Sequence, residues 1–473
     1  MIFLSDILHI AKTNHLRRKL IVKLSFSSYA AVGVMLFALF FGAGNLIFPA
    51  SLGQNAGTNL WPAAIGFLIT GVGLPLLGII AMSFSGSRNL QELATRVHPV
   101  YAVFFTSLLY LTIGPFFASP RTGTVAFEVG FSSFVSESSQ QLWLFIFTLV
   151  FFAIVLFFSL KPGKLVDTVG KMLAPGLVAL IAILLVTAFV SPMGEIQAPQ
   201  DSYSSGAFVT GFLEGYNTMD ALASLVFGII VINAIRSMGV TSKTDILKTT
   251  IKAGSIAVLL LGSIYVGIAY LGATSTQVLP IFDNGGPVLS GAASHYFGTF
   301  GSVLLAVAIT LACLTTAIGL TVANAQYFNT LFPKFSYKSL VVFFATITFV
   351  IANFGLTNII TYSIPVLMFL YPLAIVLMIL TFVSPLFKHS RVVYGSTIAV
   401  TFLISIFDGL KSLSKSIGVE FAWMQPIVDF FENTLPLYDQ GLGWLLPAVV
   451  VIVVTGVISR LQPDKSPAAQ QAS

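Results

Sequence analysis

Residues 30–57 read AAVGVMLFALFFGAGNLIFPASLGQNAG, an apolar stretch of transmembrane length that contains its own interruption. The residues that mark the interruption are Gly42, Ala43, Gly44, Asn45 and, further on, Pro49. Glycine permits backbone conformations outside the helix, and proline removes a backbone donor, so together they favour a break. Such a break is tolerated at membrane depth only where protein or a water-filled cavity surrounds it. We therefore predict a broken spanning helix, with a small-residue packing face as the competing interpretation.

A second polar interruption lies in residues 206–235, GAFVTGFLEGYNTMDALASLVFGIIVINAI. Glu214, Gly215, Asn217 and Asp220 stand there inside an otherwise apolar run. An acidic residue within a spanning helix is costly and marks a functional position. Glu214 could instead lie at the membrane interface, whereas Asp220 falls deeper in the stretch.

The composition of the whole chain places it in a membrane. Of its 473 residues, 56% are hydrophobic and only 8% are charged, and the mean hydropathy is +0.94. A soluble globular protein carries about 25% charged residues, so this chain cannot cover a water-facing surface. Since each spanning helix needs roughly 20 mostly apolar residues, the chain has room for about a dozen spans in one membrane domain.

Twelve apolar stretches bounded by charged or turn residues are the candidate spans. In chain order, spans 1 to 12 are 27–56, 61–84, 99–132, 141–160, 165–191, 208–235, 246–274, 299–328, 338–353, 356–384, 391–408 and 441–459. We predict an all-α membrane protein with a first five-helix repeat (27–191), an external loop (192–207), a second five-helix repeat (208–384) and two peripheral helices (385–459). Spans 1 and 6 are then corresponding members of the two halves. Paired interruptions in corresponding spans point to a midplane substrate site, and an odd number of helices per half makes the repeats inverted.

Charge placement gives the predicted orientation. Of the 23 Lys and Arg residues, all but Arg121, Lys411 and Lys415 fall on one side if the spans alternate. This bias places a basic leader (1–26) and the tail (460–473) in the cytoplasm. The basic pI of about 9.2 therefore reflects topology and does not imply nucleic acid. No signal-peptide cleavage pattern is present, so the basic segment 1–26 is not expected to be removed.

The two predicted breaks offer complementary binding groups. The second half of a broken helix begins with free N–H groups at a positive dipole end, which suits an anion such as a carboxylate. The first half ends in free carbonyl oxygens, which suit a hard cation such as Na⁺. A carboxylate and a sodium ion can therefore share one break.

Two further polar pairs occur within spans. Thr315 and Thr316 in span 8 follow Ala312, and one of the two hydroxyls can face the core. Threonines in membrane helices often bond only their own backbone, so this pattern is weak by itself. Arg121 and Glu128 in span 3 lie seven residues apart on one helix face, near Pro120, which we expect to disturb the helix. They are expected to be paired or solvated, either as a structural ion pair or as an outer gate.

Several protein classes are disfavoured by what the sequence contains. The single cysteine, Cys313, excludes an internal disulfide and a cysteine-based metal site. No Walker A sequence appears, and the histidines lie in the leader or near span ends. A channel would need a repeated filter, and an enzyme would need a larger loop than any here. We expect no enzyme activity, no cofactor other than a coupling ion, and no obligate protein partner.

Three motifs in a common order give a family resemblance. FALFFGAGNLIFPASLGQNAG at 37–57, SPRTGTVAFE at 119–128 and GYNTMDALASLVFG at 215–228 resemble the LIVCS family of bacterial BrnQ-type branched-chain amino acid carriers. The resemblance covers nearly the whole chain beyond the leader. It implies cation-coupled uptake of leucine, isoleucine and valine on a LeuT-type five-plus-five inverted-repeat core with two peripheral helices.

The resemblance also implies where ligands bind. In the LeuT-type pattern a sodium site joins carbonyls of span 1 to a small-residue and hydroxyl motif on span 8. The matching residues here are Ala38, Phe41, Ala312, Thr315 and Thr316. The substrate would lie across the breaks, and the expected substrate-binding residues are Gly42, Ala43, Gly44, Asn45, Tyr216, Asn217 and Asp220. Span 6 departs from the LeuT pattern through Asp220, which could bind the substrate ammonium, a second cation or a proton.

The expected mechanism is sodium symport by alternating access, in a lipid bilayer and with a small-molecule substrate. The alternative is a proton-coupled permease for another zwitterionic or nucleobase solute on the same fold. Asp220 or Glu128 would then carry the proton.

Overall fold

The structure is a computed structural model that describes residues 24–42, 44–161 and 164–461, without the side chains of 133 and 164–175. Throughout this part of the chain the regular structure is helical. The α-helices are α1 (Phe26–Phe40), α2 (Gly44–Ala56), α3 (Leu60–Leu68), α4 (Leu74–Ser85), α5 (Leu90–Ala94), α6 (Pro99–Leu111), α7 (Ala118–Gly130), α8 (Gln140–Leu160), α9 (Lys164–Val190), α10 (Tyr203–Glu214), α11 (Asp220–Ser237), α12 (Lys243–Ser275), α13 (Gly286–Leu331), α14 (Tyr337–Ala352), α15 (Leu356–Val383), α16 (Arg391–Ile417), α17 (Gln425–Thr434) and α18 (Leu445–Leu461).

These helices coincide with the predicted spans. Span 1 consists of α1 and α2, span 2 of α3 and α4, span 3 of α6 and α7, and span 6 of α10 and α11, while α8, α9, α12, α13, α14, α15, α16 and α18 form the other eight. Within the described residues, 8 helices are long and apolar enough to cross a membrane, and shorter apolar helices accompany them. The all-α membrane class is confirmed, and the count of twelve crossings stays a prediction.

Both predicted interruptions are present. Helix α1 ends at Phe40, Phe41 is extended (φ −71°, ψ 96°), and α2 begins at Gly44. In span 6, α10 ends at Glu214, a 3-10 turn covers Gly215–Thr218, and Met219 adopts φ 61° before α11 begins. The predicted break of each helix is confirmed. Ala43 lies outside the described residues, as do most of the leader 1–26 and most of the tail 460–473.

The packing of the broken helices follows the symmetry expected of an inverted repeat. Both halves of span 1, α1 and α2, pack on α12, which is span 7. Correspondingly, α10 packs on α3 and α11 packs on α4, so both halves of span 6 pack on span 2. Exchanging spans 1 and 2 for spans 6 and 7 therefore leaves the set of contacts unchanged.

Glycines allow these helices to approach backbone to backbone. A Cβ on Gly53 of α2 would lie 1.9 Å from the carbonyl oxygen of Ala269 in α12. In the other half, a Cβ on Gly66 of α3 would lie 2.0 Å from the carbonyl oxygen of Phe208 in α10. Since lipid provides no hydrophobic drive for helix association, close small-residue packing of this kind holds membrane helices together.

Three local predictions need correction. The distortion of span 3 lies at Gly114, with φ −96° and ψ −119°, and Pro120 sits undisturbed in the first turn of α7, where a missing N–H costs nothing. The connection between spans 7 and 8, residues 275–298, is partly helical, because α13 begins at Gly286; the non-helical Gly298 (φ 62°, ψ −160°) interrupts α13 just before the predicted start of span 8. Span 11 continues to Ile417 rather than ending near 408, so Lys411 and Lys415 lie on α16.

Candidate functional site

A buried polar cluster joins the two broken helices. Asn45, in the first turn of α2, donates through Nδ2 to Oδ2 of Asp220 at 2.5 Å, and also to the hydroxyl of Tyr265. The Tyr265 hydroxyl donates to the same Asp220 oxygen at 3.1 Å. Each of the three side chains is at most 5% exposed. The structure thus brings together two residues predicted from the sequence and one, Tyr265, that sequence reasoning missed.

The same asparagine also forms a hydrogen bond that stabilises the broken backbone of span 1. The backbone N–H of Gly42 donates to Oδ1 of Asn45 at 2.8 Å. In a continuous helix that N–H would bond the carbonyl oxygen of Ala38, four residues earlier. Because the N–H of Gly42 is engaged elsewhere, the carbonyl of Ala38 loses its helical partner and is available to a ligand.

Asp220 lies at the N-terminal end of α11, directly after the left-handed Met219. Its backbone N–H donates to the Thr218 hydroxyl at 3.3 Å. The hydrogen-bond partners of its carboxylate, Asn45 and Tyr265, are both neutral. A buried carboxylate without a cationic partner is costly, so this position favours a cation, an ammonium group or a proton.

Two stacked tyrosines border the break in span 6. The rings of Tyr216 and Tyr371 lie 4.0 Å apart between centroids with an interplanar angle of 15°. The Tyr216 hydroxyl is buried and has no hydrogen-bond partner among the described residues. The side chain of Asn217 donates to the Glu214 carboxylate at 2.9 Å, so these two predicted polar residues contact each other.

Arg121 is a buried cation that connects three spans. It is 2% exposed, and it donates to the carbonyl oxygen of Asn217 at 2.6 Å and to the Ser363 hydroxyl at 3.1 Å. Its guanidinium also lies over the ring of Phe48, 4.9 Å from the centroid. The ion pairs found in the described part of the chain do not include one with Glu128, so the structural ion pair considered for these residues is not formed. Arg121 instead donates to a backbone carbonyl just after the first half of span 6, where its positive charge compensates the negative end of the helix dipole.

Span 8 reaches the break in span 1. The methyl carbon Cγ2 of Thr316 would lie 3.8 Å from a Cβ placed on Gly42. The hydroxyls of Thr315 and Thr316 both donate to the carbonyl of Ala312, at 2.8 and 3.1 Å. A hydroxyl that donates its proton in this way still has lone pairs for a cation. Among the predicted sodium ligands, Phe41 is buried and Ala38 is exposed.

The described residues contain no group of three or more His, Cys, Asp or Glu side chains that could hold a metal ion. Backbone carbonyl and hydroxyl oxygens, the polar groups at the break in span 1 and on span 8, suit hard cations rather than transition metals.

Comparison with known sequences gives a family. A sequence model described as "Branched-chain amino acid transport protein" matches residues 26–462. The chain is 48% identical over 427 residues to the branched-chain amino acid permease BrnQ of Bacillus subtilis, covering 90% of this chain and 96% of that protein. It is 43% identical over 434 residues to the branched-chain amino acid transport system 2 carrier protein of Pseudomonas aeruginosa, covering 91% and 96%. It is 42% identical over 430 residues to BrnQ of Escherichia coli K12, covering 91% and 95%.

Comparison with solved structures confirms the fold. The inward-facing conformation of Mhp1 superposes with a TM-score of 0.54 at 16% identity, covering 88% of this chain and 94% of that one. A manganese transporter of Eremococcus coleocola gives a TM-score of 0.55 at 13% identity, covering 92% and 94%. At such low identity these matches establish the architecture alone, which is the LeuT-type fold.

Proposed function

Because the chain belongs to the branched-chain amino acid transport protein family, we propose that it is a sodium-coupled symporter that imports leucine, isoleucine and valine by alternating access. The observation that carries the proposal is the hydrogen bond between Asn45 and Asp220, which ties the two helix breaks together in a buried site. The proposed location is the bacterial cytoplasmic membrane, with both termini in the cytoplasm. The relatives named as permeases and carrier proteins support a transporter rather than an enzyme.

The proposed substrate site lies across the two breaks. The substrate carboxylate would accept hydrogen bonds from the N–H groups at the start of α2, near Gly44 and Asn45, where the helix dipole favours an anion. The ammonium group would face Asp220, whose carboxylate has only neutral partners. The stacked rings of Tyr216 and Tyr371 provide apolar surface beside these polar groups. Opposite charges at the two ends of the pocket would select a zwitterion.

The proposed sodium site lies between spans 1 and 8. The carbonyl of Ala38, whose helical partner is engaged by Asn45, would be one ligand, and the carbonyl of Phe41 would be another. The carbonyl of Ala312 and the hydroxyls of Thr315 and Thr316 would complete the shell. Because Asn45 contacts both the span 1 break and Asp220, sodium binding at the break would order the substrate site.

Proton coupling is the second candidate, and the surroundings of Asp220 favour it. The carboxylate is 5% exposed, and its hydrogen-bond partners carry no charge. A proton would neutralise it as well as a substrate ammonium group does. In that case Asp220 would bind and release the coupling proton, and sodium would be dispensable.

Uptake of radiolabelled leucine into proteoliposomes separates the two mechanisms. We expect an inward sodium gradient to drive uptake, potassium at matched pH to fail, and isoleucine and valine to compete. Thr315→Ala should raise the half-saturating sodium concentration at least tenfold. Thr330→Ala is the matched control, because Thr330 also bonds its own helix, through the Gln326 carbonyl, but lies at an exposed position. It should leave sodium dependence unchanged.

The result that excludes the sodium site is uptake that ignores sodium and follows an imposed pH gradient, which would assign coupling to Asp220. Sodium dependence that survives unchanged in Thr315→Ala would remove the span 8 assignment alone. No leucine uptake under either gradient would reject the substrate and leave the fold in place.

A further inference from the structure

A basic cavity lies at the end of the helix bundle, away from the two breaks. Its volume is about 270 Å³, and its walls come from the end of α4, the segment between α5 and α6, the start of α12 and the connection between α15 and α16. The lining residues on which the argument rests are Phe84, Arg96, Lys243, Thr244, Leu247 and His389. The bias of Lys and Arg along the sequence predicts that this end faces the cytoplasm.

Two positive charges in the cavity have no carboxylate partner among the described residues. Arg96 donates to the carbonyl of Ser85 at 3.0 Å and to the hydroxyl of Tyr394 at 3.4 Å, both neutral groups. Lys243 reaches across from α12, and its Nζ would lie 3.4 Å from a Cβ placed on Gly86. The ion pairs within the described residues involve neither side chain. Two cations that line one cavity and pair with no described carboxylate form an anion-binding arrangement.

The start of α12 adds to the positive potential. This helix is 33 residues long, and the side chain of its N-cap residue, Ser242, makes no capping hydrogen bond. The first backbone N–H groups of the helix therefore remain available beside the hydroxyl of Thr244, which lines the cavity. Asp245 lies in the same first turn, but it does not line the cavity.

Exposed apolar side chains lie close to the lining residues along the chain. Leu386 and Val392, which flank the lining residue His389 along the chain, are 60% and 67% exposed. Within the cavity, Phe84 and Leu247 provide apolar wall. Exposed aliphatic side chains beside a basic cavity, at the end of membrane-spanning helices, match the boundary between lipid headgroups and acyl chains.

We propose that this cavity binds a phosphate group, held by Arg96, Lys243 and the N-terminus of α12. Because the cavity lies at the predicted membrane boundary, the phosphate group would belong to the headgroup of an anionic phospholipid. The acyl chains of that lipid would lie beside Leu386 and Val392. This site is independent of the substrate and coupling ion proposed above. Because the cavity contacts span 7 at its first turn, an occupied site would hold that span against the connection between spans 10 and 11.

The test is the thermal unfolding midpoint of the full-length, delipidated protein in detergent, titrated with phosphatidylglycerol, with phosphatidylcholine and with inorganic phosphate. We expect phosphatidylglycerol to raise the midpoint saturably and phosphatidylcholine to leave it unchanged. Lys243→Gln should raise the half-saturating lipid concentration about fivefold, the effect of losing one basic contact to an anionic headgroup. Arg96→Gln should do the same, and Lys243→Gln keeps the test valid if Arg96→Gln does not fold.

Lys334→Gln is the matched control, since it removes one charge from the same predicted side at an exposed position outside the cavity. It should leave the lipid titration unchanged. Equal responses to phosphatidylglycerol and phosphatidylcholine, or an equal loss in Lys334→Gln, would overturn the site. If inorganic phosphate alone reproduces the shift at similar concentration, the phosphate site stands and the lipid source is wrong.

Discussion

The close approach of α2 to α12 predicts a large effect from a small substitution, Gly53→Ala. The added Cβ would lie 1.9 Å from the Ala269 carbonyl oxygen and within 3 Å of two further backbone atoms of α12, whereas ordinary contact begins at 3.4 Å. Backbone atoms cannot turn aside as a flexible side chain does, so the two helices must separate by about 1.5 Å, the difference between these distances. Overpacking of this kind costs about 1–3 kcal/mol.

The separation should reach the polar cluster. Tyr265 lies about one helical turn before Ala269 on α12, and its hydroxyl donates to Asp220 at 3.1 Å. A shift of more than 1 Å would take this pair beyond hydrogen-bonding distance. Misplacement of a positioned group by about 1 Å can lower the rate of a reaction on the order of 10²-fold. We therefore expect leucine uptake by Gly53→Ala to fall at least tenfold in proteoliposomes, with a lower unfolding midpoint in detergent.

Gly395→Ala is the control for adding a methyl group. Apart from the adjoining backbone of α16 itself, no atom of the described residues lies within 4 Å of the Cβ position at Gly395. Alanine should stabilise this helix by up to about 1 kcal/mol and leave uptake unchanged. Gly272→Ala should behave like Gly53→Ala, because its Cβ would lie 2.2 Å from the Ala50 carbonyl oxygen. The effects of the two substitutions should not add, because both separate the same two helices. Wild-type uptake and midpoint in Gly53→Ala would refute the packing argument.

Three further substitutions test charges at different depths. Arg121→Gln removes two charged hydrogen bonds worth about 1.5–3 kcal/mol each, so leucine uptake should fall more than tenfold. Arg121→Lys should restore only part of that uptake. Equal uptake rates in the two variants would contradict the bridging role of Arg121. Asp220→Asn keeps an acceptor for the Asn45 side chain but removes the negative charge. Leucine uptake should therefore be lost, while the unfolding midpoint should stay unchanged or rise. Substantial residual uptake would exclude a required carboxylate. Lys411→Gln breaks the substantially exposed ion pair with Glu432, whose charged atoms lie 2.7 Å apart. The free energy of unfolding should change by less than about 1 kcal/mol, and by less still at high salt. A larger change in denaturant unfolding would contradict a surface role.

The breaks in spans 1 and 6 were predictable because their causes are local. Glycine, asparagine and proline change backbone preferences within a few residues, and an acidic residue in an apolar stretch is conspicuous. The backbone detail at span 6 was not predictable, because Met219 adopts a left-handed conformation that its residue type disfavours. Surrounding tertiary structure imposes that conformation, and no local pattern reports it.

The contacts made by the polar residues depend on tertiary structure. Tyr265 stands 220 positions from Asn45 in an apolar span, where a tyrosine has no distinguishing signal. Arg121 was identified as a gate or ion-pair residue, but its partners are the backbone of span 6 and a serine of span 10. Helical spacing placed Glu128 on the same face. It could not show that a carbonyl from another helix would be the acceptor.

One side chain accounts for much of the expected coupling between ion and substrate. The amide oxygen of Asn45 takes the N–H of Gly42, which frees the carbonyl of Ala38 at the proposed sodium site. The amide nitrogen of the same residue holds Asp220 at the proposed substrate site. Any movement of Asn45 therefore changes both sites at once, and each site biases the other through a shared covalent unit. Reciprocal coupling of two binding equilibria requires a physical link of this kind, and we propose that the amide group of Asn45 is that link.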